Sequence, residues 1–353
     1  MLFTKYVFFA SFAISHSSKL INDDFLKLKS SLKSFIEDDA QNKTEKIVKF
    51  VRMSFHDLLN YDPATNQGGP HGCLAETSIL NFDENKGLSD QVSSLRDFVT
   101  KTFPSTNFTF GDVISLAGKV AVESAYPCMQ IPWRYGRSEC KSTDEKPAGP
   151  SGSFNTTEQF QPFITRYGLT LKEIAILTAG SHGISGAAAD VENSKFGTFD
   201  FSNVNSGKEW IVNSISKEWK QTISSAGEIQ YETPLSANET MMRLPSDMLF
   251  FPSVLNKVYH HSTPSDTNSL ENDLVSYTQK DRSAFDKDFE RVYAKMLEIG
   301  TNTDNLVEFK EEPTNNKCID RVDTEVLSSK EFRPTFESIH VLHLTLFFVF
   351  NIL

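Results

Sequence analysis

From Leu20 to Asn302 the chain reads as one helix after another, and this succession limits the fold more than any other feature of the sequence. Period-two alternation, the mark of a half-buried strand, is scarce, whereas apolar residues recur at helical spacing. Asp112 to Ala125 places Val113, Leu116, Val120 and Val122 near one face. Ala284 to Leu297 does the same with Phe285, Phe289, Val292 and Met296. Helix starts are written into the sequence too. Thr170 followed by Glu173 is a capping box ahead of Ile174, Ala175, Ile176 and Leu177. Pro245 suits the first position of a helix because its missing N–H is not needed there. Gly- and Pro-rich loops fall at 62–73 and 147–153, and no internal repeat is present. The pattern predicts an all-α architecture of about ten helices.

The two ends point to a compartment. MLFTKYVFFASFAIS has Lys5, then an apolar run from Tyr6 to Ile14, then a small-residue cleavage site, so residues 1–15 read as a secretory signal peptide. Four glycosylation sequons follow, at Asn42, Asn107, Asn155 and Asn238, as in a secreted glycoprotein. The four cysteines, Cys73, Cys128, Cys140 and Cys318, suit disulfides in an oxidising compartment. Three pairings are open, and the short loop favours Cys128 with Cys140. From Thr303 the chain turns polar, so 303–337 reads as a linker. The last stretch, 338–353, is a hydrophobic tail behind small residues and a polar spacer. It reads either as a lipid-anchor (GPI) signal or as a short amphipathic helix. The formal net charge of -11, with no basic stripe, argues against nucleic-acid partners. The 29 phenylalanines suit a Phe-rich core before they suit a cofactor pocket.

Several polar residues stand where chemistry could sit, although each alone is ordinary. In KIVKFVRMSFHD, Arg52 and His56 are four residues apart and share a helix face beside Phe55. His182 closes an apolar helix, where a lone His is more often a satisfied core residue than a ligand. Asp247 lies just inside a helix start, a favourable place for any carboxylate.

In order and spacing, RMSFHD, GGPHG, ENKGL, IPWRYGR, TAGSH and RLPSD resemble the plant-type haem peroxidase superfamily over about residues 20–302. GGPHG and IPWRYGR look closest to the ascorbate and cytochrome c branch. Phe55 and Phe199 look more like the secreted fungal and plant branches. The resemblance implies a two-lobed helical fold with haem b between the lobes. His182 would bind the iron, Asp247 would accept from the other ring nitrogen of His182, and Phe199 would stack on it. On the open face His56 would move the proton of hydrogen peroxide, Arg52 would stabilise developing negative charge, and Asn85 would orient His56. Phe at 55 and 199 is hard to oxidise, so the second oxidising equivalent of the ferryl haem is expected on the porphyrin.

The departures matter as much. Of the two calcium sites of the secreted branches, Asp57 remains at one and Asp200 and Ser202 at the other. His71, Cys73, Gly183 and Gly207 replace expected oxygen ligands, so calcium has no intact site. Glu45 lacks carboxylate companions for manganese, since Lys49 and Ala188 stand there. Leu177 replaces an exposed oxidisable Trp, and Val191 replaces the Arg that anchors ascorbate. Pro150 matches the loop near the haem edge, where small phenol-like donors would react. The reading is a secreted or cell-surface peroxidase using hydrogen peroxide and a small reducing substrate, with membrane attachment through the tail where that tail is an anchor signal. The alternative is a surface haem-binding protein with little turnover.

Overall fold

The computed structural model describes residues 23–38, 42–141, 156–184, 207–224, 227, 229–234, 240–259, 265–309 and 311. The chain divides into two compact units, Met1–Glu312 and Pro313–Leu353, and every described residue belongs to the first. The signal peptide, the terminal tail, Pro150, Phe199, Asp200, Ser202, Ala188 and Val191 lie outside the described residues.

The body is helical, as the periodicity predicts. Helix α1 spans 23–37, followed by α2 (Lys43–His56), α3 (Thr77–Leu80), α4 (Ser89–Thr102) and α5 (Phe110–Ala125). After β1 (Trp133–Tyr135) come α6 (Gln161–Tyr167), α7 (Leu171–His182) and α8 (Gly207–Ser216). The closing helices are α9 (Pro245–Met248), α10 (Pro252–Tyr259), α11 (Ser265–Thr278) and α12 (Arg282–Met296). The caps behave as written in the sequence. The Thr170 side chain accepts from the Glu173 amide at 3.1 Å, and Glu173 accepts from the Thr170 amide at 3.0 Å. Thr109 and Asp112 form a second capping box at the start of α5. Pro245 opens α9.

Helix α2 packs along α5, and α7 packs against α8 and α12. The first crossing is close because α5 has Gly118 where it meets α2. A Cβ there would lie 2.4 Å from the Ser54 Cβ, so any side chain would push the helices apart. The four residues expected on the inner face of α12, Phe285, Phe289, Val292 and Met296, are all buried. Hydroxyls join the N-terminal and C-terminal helices. Ser54 Oγ and Tyr293 Oη are 2.8 Å apart, Tyr167 donates to the Leu59 carbonyl at 2.7 Å, and Tyr126 donates to the Gly180 carbonyl at 2.8 Å.

Three features differ from the sequence reading. First, β2 (Lys220–Ile223), β3 (Ile229–Pro234) and β4 (Thr240–Arg243) form an antiparallel sheet between α8 and α9. Strands of four to six residues carry too little alternation to stand out. Second, the chain does not become a linker at Thr303. Strand β5 (Val307–Phe309) pairs with β1, placing Phe309 opposite Trp133, and the Phe309 ring stacks on Phe25 at 3.6 Å. Glu311 then pairs with the buried Lys119 at 2.9 Å and with Lys29. A segment polar on average still docks when its one aromatic ring and one carboxylate find buried partners. Third, the disulfide joins Cys73 to Cys140, with Cα atoms 4.9 Å apart, and not Cys128 to Cys140. Cys128 is disulfide-bonded as well. Proximity in sequence misled here because closing a longer loop costs only slightly more entropy, so tertiary placement decides the pairing.

Candidate functional site

The last turn of α2 carries Arg52, Phe55 and His56. His56 Nδ1 lies 2.8 Å from Asn85 Oδ1, and Asn85 Nδ2 donates to the Ile79 carbonyl at 2.7 Å. That second bond orients the amide so that its oxygen faces the imidazole. The neutral ring therefore carries its proton on Nδ1, and Nε2 keeps its lone pair. The Arg52 Nε points at Nε2 from 3.3 Å, a contact that suits an acceptor there. Burial first, then the Arg52 charge, push the His56 pKa down to about 3, against a smaller upward contribution from Asn85. The ring is thus neutral across the physiological range and can accept a proton from an acidic hydroxyl. The Phe55 ring stands edge-on to His56 at 5.8 Å.

One short segment holds both polar groups of this face. The 3-10 turn Asp83–Asn85 presents Asn85 to His56. The carbonyls of Glu84 and Lys86 each accept from the Arg52 guanidinium at 2.9 Å. ENKGL is therefore a clamp for Arg52 as well as for His56, and the two carbonyls were not legible in the motif because backbone atoms leave no sequence signal.

Asp57, the residue after His56, was expected as a remnant calcium ligand. Its two carboxylate oxygens accept from the amides of Gly72 and Leu74 at 2.8 and 2.9 Å. It ties the loop after α2 directly, next to the disulfide-bonded Cys73. That cysteine is bridged to Cys140.

The second half is built at the end of α7. His182 Nδ1 lies 3.0 Å from Asp247 Oδ1. Asp247 is fully buried, and its Oδ2 accepts from the Leu244 amide at 2.9 Å, so one oxygen caps α9 and the other holds the imidazole. With Nδ1 committed to the carboxylate, Nε2 is the ring atom turned elsewhere, and the side chain keeps 29% of its surface exposed. Trp210 of α8, fully buried, meets the His182 ring at 6.4 Å and 67°. The Arg243 guanidinium covers the Trp210 ring at 4.7 Å. Neither Trp210 nor Arg243 was singled out from the sequence, because nothing in EWIV or MMRLP separates a residue beside a site from an ordinary core residue.

The donor set fits a haem. An imidazole whose Nδ1 is held by a buried carboxylate, with Nε2 directed away from it, is the arrangement an iron ligand needs. Glu45, expected to lack a second carboxylate for manganese, pairs with Lys49 at 2.9 Å. Among the described residues no group of three His, Cys, Asp or Glu is placed to hold a metal ion.

The peroxidase family model matches residues 29–340, past the expected domain boundary at 302. The mitochondrial cytochrome c peroxidase of Candida glabrata is 25% identical over 253 residues, which cover 71% of this chain and 64% of that protein. A putative mitochondrial cytochrome c peroxidase of Yarrowia lipolytica is 26% identical over 282 residues, covering 78% of this chain and 90% of its own length. A probable chloroplastic L-ascorbate peroxidase of Oryza sativa subsp. japonica is 26% identical over 270 residues, 72% of this chain and 50% of that protein. The chain thus spans slightly less than two thirds of the Candida relative and most of the Yarrowia one. A family match of this extent, on a helical body carrying two oriented histidines, means that the chain belongs to the peroxidase family, in its plant-type, haem-dependent branch.

Proposed function

We propose that the protein is a secreted or cell-surface haem peroxidase that reduces hydrogen peroxide and takes electrons one at a time from small phenol-like donors. The observation that carries this is the state of His56: neutral, with Nδ1 bound to Asn85 and Nε2 left as an acceptor beside Arg52. His182 would hold haem b through Nε2, and the haem would supply the iron that receives peroxide and the oxidising capacity passed to the donor. His56 Nε2 takes the proton of the incoming peroxide and returns it to the departing oxygen, so that the bond breaks toward water and not toward hydroxide. Arg52 contributes fixed positive charge where negative charge develops. Asn85 keeps Nε2 aimed inward during both transfers. Asp247 draws on the Nδ1 proton of His182, making the imidazole a stronger electron donor through Nε2 and fixing which nitrogen binds.

The donor follows from what the chain lacks. Lys49 neutralises Glu45 where manganese would need carboxylates, and the position of an oxidisable surface Trp is the buried Leu177. Small aromatic donors need no dedicated site. Cytochrome c, named for two relatives, is the competing donor. Secretion is supported by the N-terminal signal, by the Cys73–Cys140 bridge and by the exposed sequons Asn42 and Asn107.

The deciding experiment mixes the haem-loaded protein with one equivalent of hydrogen peroxide in a stopped-flow spectrometer, then adds a phenol or reduced cytochrome c. The expected result is a rapid change of the haem spectrum and its return on adding phenol. A haem band indifferent to peroxide would replace the proposal with a haem-binding protein. Return only with cytochrome c would overturn the donor assignment.

A further inference from the structure

We infer that Tyr126 is a positioning residue for His182, fastening the end of the helix that carries it. The last carbonyls of a helix have no partner within the helix, so its terminal turn is the part most free to shift. In α7 that turn carries His182. Tyr126, just past the end of α5, is fully buried and donates its hydroxyl to the Gly180 carbonyl at 2.8 Å, two residues before His182. Its ring is held in turn. The Phe289 ring of α12 stands edge-on to it at 6.2 Å, and the Arg282 guanidinium lies over it at 5.9 Å. The tyrosine thus links α5, α7 and α12 at the point where the imidazole leaves the helix.

Gly183 gives the arrangement its second support. A Cβ at 183 would lie 2.8 Å from the Ala179 carbonyl oxygen and 3.0 Å from the Tyr126 hydroxyl oxygen. The residue after His182 must therefore be small for the hydroxyl to reach Gly180. The absence of a side-chain oxygen at 183, which weakens a cation site, is the same feature that admits the tyrosine. A direct hydrogen bond from a neighbouring helix end holds α7 at this point. Asp247 sets the rotation of the imidazole; Tyr126 sets the position of the backbone from which it projects.

The inference rests on His182 as the iron ligand, so the test has an arm that needs no haem. In the haem-free protein, histidine ring signals are followed by NMR, with His182 and His56 assigned from His182→Gln and His56→Gln. Tyr126→Phe is expected to shift or broaden the His182 signals and leave those of His56 unchanged. In the haem-loaded protein it is expected to move the iron–histidine stretching band and to speed haem loss roughly fivefold, the equivalent of one ordinary buried hydrogen bond. Gly183→Ala, which crowds the same hydroxyl, should disturb the His182 signals in the same way and serves if Tyr126→Phe fails to fold. Unchanged His182 signals in both variants would overturn the inference, as would equal movement of His182 and His56, which would make Tyr126 a general packing residue. Failure of the wild type to take up haem would sink the peroxidase reading, while the haem-free arm would still decide the role of Tyr126.

Discussion

Burial and the neighbouring Arg52 hold the His56 pKa near 3, and two consequences follow. The unfolded chain would protonate this imidazole below about 6.5. Between that pH and 3 the unfolded state binds a proton that the folded state refuses, so stability falls as the pH falls. The peroxide step should stay flat from neutral pH down to about 4 and decline only as His56 protonates; a pH series of stopped-flow rates checks this. His56→Leu should slow the same step by at least about 10²–10⁴-fold while haem stays bound, because general acid/base transfer is lost and His182 is untouched. Asp286 has the opposite habit for an acid. Burial raises its pKa to about 6, with the like charges of Glu209 and Glu290 adding to the rise and Arg282 opposing it. Arg282 Nε is 3.2 Å from Asp286 Oδ2, an ion contact without hydrogen-bond geometry, and Asp286 Oδ1 is buried with no partner. The folded state therefore keeps a proton that the unfolded state releases, and stability drops as pH rises from about 4 to about 6. Asp286→Asn should remove that slope and gain at most about 3 kcal/mol at neutral pH, read from denaturant melts at pH 4 and 7.

At the scale of elements, the loop after α2 is held by charge and backbone. Asp57 receives the amides of Gly72 and Leu74, and Cys73 between them is bridged to Cys140. Asp57→Ala should cost about 3 kcal/mol, since hydrogen bonds to a charged group each contribute more than neutral ones. Added calcium should not restore the loss, and a chelator should leave the wild-type melting temperature unchanged; recovery with calcium would show that the carboxylate also serves a cation. The IPWRYGR segment works in the same structural way. Arg137 is buried against Asp112 at 3.0 Å and donates to the Leu297 carbonyl, while Trp133 donates to Ser115 Oγ. This motif secures the start of α5 to the end of α12 and so supports the site without touching it.

On the scale of the whole molecule, the chain beyond Asn302 closes the N-terminal helices. Lys119, buried in α5, has two carboxylate partners, Glu123 on its own helix and Glu311 from beyond β5. Lys29 of α1 joins the same group at 3.0 Å from Glu123. Ending the chain after Asn302 should lower the melting temperature by several degrees more than ending it after Glu312, because the Phe309 ring and one carboxylate partner of a buried ammonium are removed. The Cys73–Cys140 bridge closes a separation of 67 residues. Its replacement by two serines should cost about 4 kcal/mol by the chain-entropy argument, measured as a shift of the denaturant midpoint.

The helices, their caps and the residues that meet at the site were legible in the sequence, because helical period, capping boxes and short motifs are local properties. Arg52 with His56, Thr170 with Glu173 and Pro245 at the start of α9 are all set by neighbours within four residues. The pairs His56–Asn85 and His182–Asp247 are distant in sequence and were legible only through the motifs that carry them. What lies between motifs had no such signal. The disulfide partner of Cys73, the return of Phe309 and Glu311, the packing of Trp210 on His182 and the reach of Tyr126 to Gly180 depend on which surfaces the helices bury against one another. The free energy of those contacts comes from burial and from satisfying polar groups left by the elements themselves, quantities that exist only once the elements are packed.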